Sequence, residues 1–221
     1  MNYNFTGKIE ISSKSPKILG HGDQGTVFKI GESAFKTYNA NAQRKSDDKE
    51  VAIRLSRLNL KYFVTPYSLR FDSKKNLIGF KMRLLKKGTK EKLTNMDICD
   101  VVKNIEGIRK ETKIISDNGI IFYDLQPHNV VITENGIEVY DFSAYGISNS
   151  PSAASSNDSE IDTLFGSLLL TTEMPDIDSI SLYDAIYSDY KKGECSTIEE
   201  YYDKTISSGN IREYVLQKKK K

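Results

Sequence analysis

The sequence predicts a single domain of mixed helical and strand structure, the α+β class. Its first half contains five strand-like runs and one amphipathic segment, in the order three strands, helix, two strands. Its second half opens with a long amphipathic segment and continues with short strand-like runs and further helical segments. A chain of 221 residues with 38% hydrophobic residues can bury one substantial core, whereas two independent domains would be cramped.

The first half is predicted to form a five-stranded antiparallel sheet with one helix. Alternating apolar and polar residues indicate the strands, and glycines or the polar turn at 72–76 separate them. Regularly spaced apolar residues among charged ones indicate the helix. The predicted elements are a three-stranded meander at 18–19, 26–30 and 33–38, a helix at 44–60, and strands at 67–71 and 77–85.

The second half is predicted to be mainly helical, with short strands near its start. Apolar residues at helical spacing indicate the first helix, which the sequence Asp-Asn-Gly at 117–119 ends. A run of small residues at 148–159 has no periodicity and is predicted to be a loop. The predicted elements are a helix at 96–116, strands at 120–123, 130–132 and 137–140, a buried helix at 161–170, and two amphipathic helices around 179–191 and 197–206.

Charge and composition exclude several classes of function. With 32 basic and 30 acidic residues, the net charge of +2 gives no case for nucleic acid as the main ligand. The basic tail at 218–221 is predicted to be a solvated terminus. No run of about 18 apolar residues occurs and no apolar leader follows a basic start, which predicts neither a membrane span nor a Sec signal peptide. Cys99 and Cys195 match no metal-ligand spacing and are predicted to be reduced thiols in a cytoplasmic protein.

Residues 20–27 read GHGDQGTV and carry the pattern G-x-G-x-x-G-x-V, with Gly20, Gly22 and Gly25 followed by Val27. Such a triplet also arises by chance in ordinary turns, so its context decides how it is interpreted. A dinucleotide-binding fingerprint opens a helix, whereas these glycines lead into a strand. The context favours a hairpin whose backbone N–H groups lie over nucleotide phosphates, where side chains would block the approach.

Lys36 ends the third predicted strand, in the sequence Ala-Phe-Lys. An inward lysine beside phosphates supplies a positive charge, and it needs a carboxylate to hold it. Glu50, on the following helix, is the best-placed partner, with Asp47 and Asp48 as competitors. The alternative is that Lys36 and Glu50 are ordinary surface charges.

Two segments of the second half carry a more specific pattern. Residues 118–132 read NGIIFYDLQPHNVVI, and residues 139–143 read VYDFS. The first segment resembles the catalytic loop H-R-D-L-x-x-x-N of protein kinases, with Asp124 and Asn129 at the required separation. The second resembles their metal-binding D-F-G, with Asp141 in the aspartate position, and Lys36 stands where they carry V-A-I-K. Over roughly residues 17–170 the chain resembles the protein kinase-like superfamily.

The resemblance implies a bilobal fold in one domain over 1–221. The N-terminal lobe would cover about residues 10–86, and a truncated, mainly helical C-terminal lobe about residues 87–215. The sequence DTLFG at 162–166 loosely resembles the start of the central helix of that lobe, which makes Asp162 a structural anchor. In size and in its Tyr-Asp-Leu loop the chain is similar to small kinase effectors that some pathogenic bacteria inject into host cells, so delivery into a host cell is a second expected location.

The resemblance also implies an activity: transfer of a phosphoryl group from ATP, with Mg²⁺ or Mn²⁺, to serine or threonine hydroxyls of a protein substrate. Asp124 would orient the attacking hydroxyl, and Asn129 and Asp141 would bind the metal. Lys36, supported by Glu50, would contact the phosphates. The glycine turn and Val27 would complete the nucleotide site, and the sequence does not indicate an oligomeric state.

Several residues depart from the kinase pattern. Tyr123 replaces the arginine that usually reads a phosphate on the activation loop, which predicts a constitutive enzyme. Gln126 stands where many serine/threonine kinases have a lysine, and Ser143 replaces the glycine of D-F-G. No A-P-E sequence follows. His21 and His128 are interpreted as loop residues.

Two alternative functions are also compatible with the resemblance to the protein kinase-like superfamily. An ATP-binding pseudokinase or scaffold would keep the fold without the chemistry, but Lys36, Asp124, Asn129 and Asp141 are all present. A small-molecule kinase of the aminoglycoside or choline type would typically carry His-Gly-Asp in its catalytic loop, where this chain has Phe-Tyr-Asp.

The small-residue segment at 148–159 contains six serines and is a hypothetical autophosphorylation site. Phosphate there is expected to change the rate little, because an arginine beside the catalytic aspartate normally pairs with it and Tyr123 cannot carry a positive charge. The alternative is that these serines form a soluble linker.

Overall fold

The computed structural model describes residues 16–39, 47–85, 98–133, 136–142, 144–150 and 152–169. The predicted helices around 179–191 and 197–206 and the basic tail lie outside these ranges, as do Ser143 and Cys195. The described part has mixed α and β structure, which confirms the α+β class. None of its helices combines the length and the apolar character needed to cross a membrane.

The first half forms the predicted five-stranded antiparallel sheet. Its strand order is β1-β2-β3-β5-β4, so β3 lies at the centre of the sheet. Helix α1 follows β3 in the chain, as predicted. The elements are β1 Lys17–Gly22, β2 Gly25–Ile30, β3 Ser33–Tyr38, α1 Asp48–Leu55, β4 Pro66–Phe71 and β5 Leu77–Arg83.

Tight turns connect the strands where the sequence predicted them. Gly31, between β2 and β3, has a φ of +59°, a left-handed conformation that glycine adopts without steric cost. Between β4 and β5, the Asp72 carboxylate accepts hydrogen bonds from the backbone and side-chain nitrogens of Asn76, at 2.8 and 2.9 Å. The side-chain bond from Asn76 is the main cause that lowers the pKa of Asp72. This turn connects β4 to β5 and helps to fix the register of their pairing.

Helix α1 is shorter than predicted. The α-helix ends at Leu55. Beyond it, the backbone N–H groups of Arg57 and Leu58 bond to carbonyl oxygens three residues back rather than four. Val51, Ala52 and Leu55 are buried and join the core that the sheet residues also enter. The core face of α1 therefore follows the predicted amphipathic pattern.

In the described part of the second half there are two α-helices and two small antiparallel pairs of strands. Strand β7 pairs with β8 as a hairpin, and β6 pairs with β9. Strand β9 was not predicted, because it has only three residues and one of them is glycine. The elements are α2 Ile98–Asp117, β6 Ile120–Phe122, a short 3-10 helix Pro127–Asn129, β7 Val130–Thr133, β8 Gly136–Val139, β9 Tyr145–Ile147 and α3 Ala153–Leu169.

The prediction of a loop at 148–159 is wrong for residues 153–159, which form the first two turns of α3. Ala153, Asn157 and Ile161 are buried and share one helix face at a spacing of four residues. Because the first two of these residues are small or polar, the apolar pattern does not reveal the helix. The exposed positions between them include Ser155 and Ser159.

Asn157 holds α3 against β6. Its side chain is fully buried, and its Oδ1 accepts the backbone N–H of Phe122 at 2.7 Å. Its Nδ2 donates to the Ile120 carbonyl oxygen and to the Ser116 hydroxyl, both at 2.8 Å. One amide therefore satisfies backbone groups on the free edge of β6, and tertiary contact rather than local periodicity explains the helix at 153–159.

Asp162 connects the same helix to α2, because its carboxylate forms an ion pair with Arg109. The predicted anchoring residue thus contacts another element of the fold.

The two halves of the chain meet through aromatic rings and backbone pairing. Phe80 of β5 packs against Phe142 with ring centroids 4.8 Å apart, and Phe63 stacks on Phe122 at 5.8 Å. The backbone N–H of Val64 donates to the Val139 carbonyl oxygen at 2.8 Å. These contacts set the position of β8, and of the residues that follow it, relative to the sheet.

Replacement of Asn157 by alanine should lower the free energy of unfolding by about 2 kcal/mol or more, because buried groups of β6 would lose their partners. Ser159→Ala, at an exposed position of the same helix, is the matched control and should stay within about 0.5 kcal/mol. Urea denaturation of the three proteins measures both effects. A loss below about 1 kcal/mol for Asn157→Ala would contradict the anchoring role.

Candidate functional site

The glycine turn lies at the end of the β1–β2 hairpin, beside the C-terminal end of β3. Gly25 pairs with Tyr38, and Val27 pairs with Lys36, so the turn and the lysine lie at the same end of the sheet. A Cβ added to Gly25 would stand 2.0 Å from the Thr37 carbonyl oxygen. The fold itself therefore requires this glycine.

Gly20 and Gly22 have no comparable internal reason to lack a side chain. A Cβ added to either would meet no atom of the described residues within 4 Å, and β1 is exposed along its whole length. The turn is nevertheless held, because the Asn39 amide donates to the carbonyl oxygens of Gly22 and Asp23 at 3.3 and 3.1 Å. A held turn with open backbone suits the close approach of phosphate groups.

Lys36 forms an ion pair with Asp141, which lies 105 residues away in the chain. The distance from Lys36 Nζ to Asp141 Oδ1 is 2.9 Å, and the two side chains are 10% and 34% exposed. The Tyr38 ring lies 5.9 Å from the same ammonium group. The structure thus brings two of the predicted site residues into direct contact, at the end of the sheet that carries the glycine turn.

Glu50 is not brought to Lys36, and the predicted ion pair between these two residues is corrected. The Glu50 carboxylate instead accepts a hydrogen bond from Arg54 Nε at 2.8 Å, and its side chain is 50% exposed. Residues four apart on a helix are surface neighbours, which favours this local pair. Asp47, a predicted competitor, accepts the backbone N–H of Ile147 at 3.4 Å. Asp141 takes the position of lysine partner.

Asp141 has a left-handed backbone, with a φ of +65°. This conformation is uncommon for residues with a side chain and costs on the order of 1 kcal/mol. The next residue, Phe142, is 6% exposed and packs between Phe80 and Tyr145. Burial of that ring compensates the strain and fixes the direction in which the chain leaves β8. Strained non-glycine residues of this kind cluster at functional sites.

Residues 124–129 form a polar loop between β6 and β7. Gln126 and Asn129 cap each other: the Gln126 side chain accepts the backbone N–H of Asn129, and Asn129 Oδ1 accepts that of Gln126 at 3.2 Å. Asn129 is 7% exposed, whereas Asp124 at the start of the loop is exposed. The loop therefore presents a carboxylate to solvent and keeps the amide inside.

Gln126 also contacts the predicted catalytic carboxylate. Its Nε2 donates a hydrogen bond to Asp124 Oδ1. A neutral amide thus orients Asp124 without adding charge. The sequence predicted that Gln126 removes a lysine charge from the site, but it gave no signal for this contact.

Two residues of α3 that sequence reasoning missed support the loop. Glu160 accepts the backbone N–H of Leu125 at 3.2 Å, and Asn157 bonds to β6 immediately before the loop. The sequence offered no apolar signal for them, and only the structure shows that positions 153, 157 and 161 share the buried face of α3.

The β7–β8 hairpin sets Asn129 beside Asp141 in the fold. Val130 pairs with Val139, and the Tyr140 N–H donates to the Asn129 carbonyl oxygen at 2.8 Å. Because Asp141 directly follows Tyr140, the predicted metal ligands come from neighbouring backbone positions at one end of the hairpin.

An amide oxygen and a carboxylate suit a magnesium ion that keeps several waters and is completed by substrate phosphates. The part of the chain that the structure describes contains no group of three or more His, Cys, Asp or Glu that could hold a metal by itself. Asn129 and Asp141 would hold such an ion, and each oxygen that is bonded here retains a second lone pair. The residues present therefore fit Mg²⁺ or Mn²⁺ bound together with a nucleotide.

Two tyrosines near Asp141 remain neutral at physiological pH. Burial is the main cause that raises the pKa of Tyr145, and the charge of Asp141 raises it further. The same two causes raise the pKa of Tyr140, whose hydroxyl donates to the His128 carbonyl oxygen at 2.6 Å. Neither phenol adds negative charge beside Asp141.

Comparison with known proteins does not assign a family. No protein-family model matches the chain, and no curated protein matches it in sequence. The chemistry of this site therefore rests on the geometry of its own residues.

Proposed function

We propose that the protein transfers the γ-phosphoryl group of ATP to serine or threonine hydroxyls of protein substrates, within a bilobal protein kinase-like fold. The observation that carries the proposal is the 2.9 Å ion pair between Lys36 and Asp141 at the end of the sheet that bears the glycine turn. It joins a cation suited to phosphates with a carboxylate suited to a divalent metal. The sheet with α1 in the first half, and α2 with α3 in the second, support the two-lobed interpretation.

The nucleotide site proposed here combines three elements. The open backbone at Gly20 and Gly22 allows phosphates to approach closely. The Lys36 ammonium group gives up part of its contact with Asp141 and contacts the phosphates instead. Asn129 and Asp141 would hold the divalent metal, which would supply positive charge to neutralise the phosphates.

The proposed transfer needs one proton acceptor. The substrate hydroxyl oxygen forms a bond to the γ-phosphorus of ATP, the bond from that phosphorus to the β,γ-bridging oxygen breaks, and ADP leaves with the electron pair. The hydroxyl proton passes to Asp124, which is exposed and oriented by Gln126.

Millimolar ATP with Mg²⁺ or Mn²⁺ should raise the melting temperature. A ligand that binds only the native state stabilises it, by about 2.7 kcal/mol at 100 times its Kd. AMP with the same metal is the matched control and should give a smaller shift, because it lacks the phosphates that Lys36 and the glycine turn would contact. Differential scanning fluorimetry measures both. No shift with ATP, or equal shifts with the two nucleotides, would contradict the proposed site.

Asp124→Asn should lower phosphoryl transfer by about 100-fold or more, because loss of a general base typically costs that much. It should keep the thermal shift with ATP, whereas Asp141→Asn should lose both transfer and the metal-dependent shift. Labelled ATP with a generic protein acceptor measures transfer.

The control for these two variants is Asp158→Asn, an exposed position of α3 without a hydrogen-bond or ion-pair partner among the described residues. If Asp124→Asn and Asp141→Asn behave alike in nucleotide binding, the assigned roles are wrong. A wild-type protein that binds ATP without transfer would favour the scaffold, and transfer only to small molecules would favour the small-molecule kinase.

A further inference from the structure

A polar cleft of about 640 Å³ lies between the C-terminal part of α1, the end of α2 and the segment that follows β9. Arg54 and Arg57 of α1 line it together with Ser148 and Ser150. Apart from Glu50, its lining contains none of the residues assigned to the nucleotide or metal site. The cleft is thus a second polar feature, and it includes part of the serine segment for which the proposed function has no role.

The acidic residues of the cleft already have cationic partners. Glu50 pairs with Arg54 at 2.8 Å, and Asp117 pairs with Lys113 at 3.1 Å. Arg57 is exposed, and its guanidinium has no hydrogen-bond or ion-pair partner in the described part of the chain. Each acidic residue of the lining thus has a cation of its own, and Arg57 is left without a carboxylate partner among the described residues.

Arg54 extends from α1 to the turn between α2 and β6. Its Nη1 donates to the Asn118 carbonyl oxygen at 2.8 Å. A Cβ placed on Gly119 would be 2.6 Å from this Nη1 and 3.2 Å from the Ser148 carbonyl oxygen, so the guanidinium and Ser148 adjoin the same glycine. The bonds to Glu50 and Asn118 use two of the five N–H groups of Arg54, and the others can bind an anion.

The serine segment is held along this cleft from both ends. The Ser148 N–H donates to the Gly119 carbonyl oxygen at 3.0 Å, and the Ala153 N–H donates to the Ser150 carbonyl oxygen at 3.1 Å. Ser150 is exposed and Ser148 is half-buried. Both hydroxyls are thus carried on backbone that is fixed beside the arginines.

We propose that the cleft is a phosphoserine-binding site for a phosphate carried on Ser148 or Ser150. A phosphoserine brings nearly two negative charges and three acceptor oxygens, and arginine binds such groups through strong, often bidentate, charge-assisted hydrogen bonds. Because Tyr123 replaces the usual arginine, the sequence predicted that no arginine binds a phosphate in this segment. In the proposed site, the arginines that bind it come from α1 instead.

The bound phosphate ties the segment after β9 to the helix that carries Glu50. Control of phosphoryl transfer through this contact rests on the proposed function, whereas binding of the phosphate does not. If the protein modifies itself, the serine oxygen bonds to the γ-phosphorus of ATP, ADP leaves, and the hydroxyl proton passes to Asp124.

The test uses the full chain with phosphoserine incorporated during synthesis at Ser148 or at Ser150, so it does not require the protein's own activity. Phosphorus NMR follows the second ionisation of the phosphate, which ordinarily has a pKa of about 6. A neighbouring guanidinium should lower that pKa by about 1 unit in at least one of the two proteins. Arg57→Ala should remove most of the shift, and Arg57→Lys should keep part of it.

Two controls separate the cleft from general charge effects. Phosphoserine at Ser159, exposed on α3 and outside the cleft, should titrate with an ordinary pKa, and Lys74→Ala, in the β4–β5 turn, should leave the shift unchanged. An ordinary pKa at both Ser148 and Ser150, or a shift that survives Arg57→Ala, would overturn the proposal.

Inorganic phosphate added to the unmodified chain distinguishes the source of the anion. Saturable binding of it that Arg57→Ala removes, without a shift at either phosphoserine, would also overturn the proposal and assign the cleft to a soluble anion. Absence of phosphoryl transfer in every form would count against the proposed function alone, because the NMR result does not depend on it.

Discussion

The ion pair between Lys36 and Asp141 is the interaction on which the candidate site depends. Lys36 stands on the central strand of the sheet, between β2 and β5, so its position follows from the pairing of the whole first half. Asp141 is positioned by the β7–β8 hairpin and by the burial of Phe142 against Phe80. Each charge is partly removed from water, and removal of one would leave the other without compensation. The pair therefore couples the glycine turn of one half to the residues proposed to bind the metal in the other.

Polar contacts from α3 impose a second constraint, on the loop that carries Asp124. Asn157 and Glu160 bond to backbone groups of β6 and of the loop, so the helix determines where the exposed carboxylate stands. The same helix follows the serine segment beside Arg54 and Arg57. A phosphate bound in that cleft would act on α1 and on the start of α3 together. Phosphorylation of the serine segment would therefore affect both α1 and the helix that positions the loop of Asp124.

Local sequence patterns predicted most of the described elements. The features that they missed depend on contacts between residues far apart in the chain. Strand alternation and glycine turns predicted the five strands of the sheet, and the strand-like runs at 130–132 and 137–140 predicted the β7–β8 hairpin. The helix at 153–159 was missed because its inward side is formed by Ala153 and Asn157, which carry no apolar signal. The partner of Lys36 was missed because Glu50 has a closer cation, Arg54, on its own helix. The left-handed backbone of Asp141 likewise arises from tertiary packing and not from local sequence.

The proposed function requires that Lys36, Asn129 and Asp141 form one site for a nucleotide and a divalent metal. Diffraction from crystals grown with Mn²⁺ and a non-hydrolysable ATP analogue tests it most directly, because anomalous scattering locates manganese independently of the protein atoms. We expect manganese bound by oxygens of Asp141 and Asn129, with the triphosphate contacting Lys36 Nζ and the backbone of the glycine turn. Manganese and nucleotide bound elsewhere on the chain, with the Lys36–Asp141 pair intact, would contradict it.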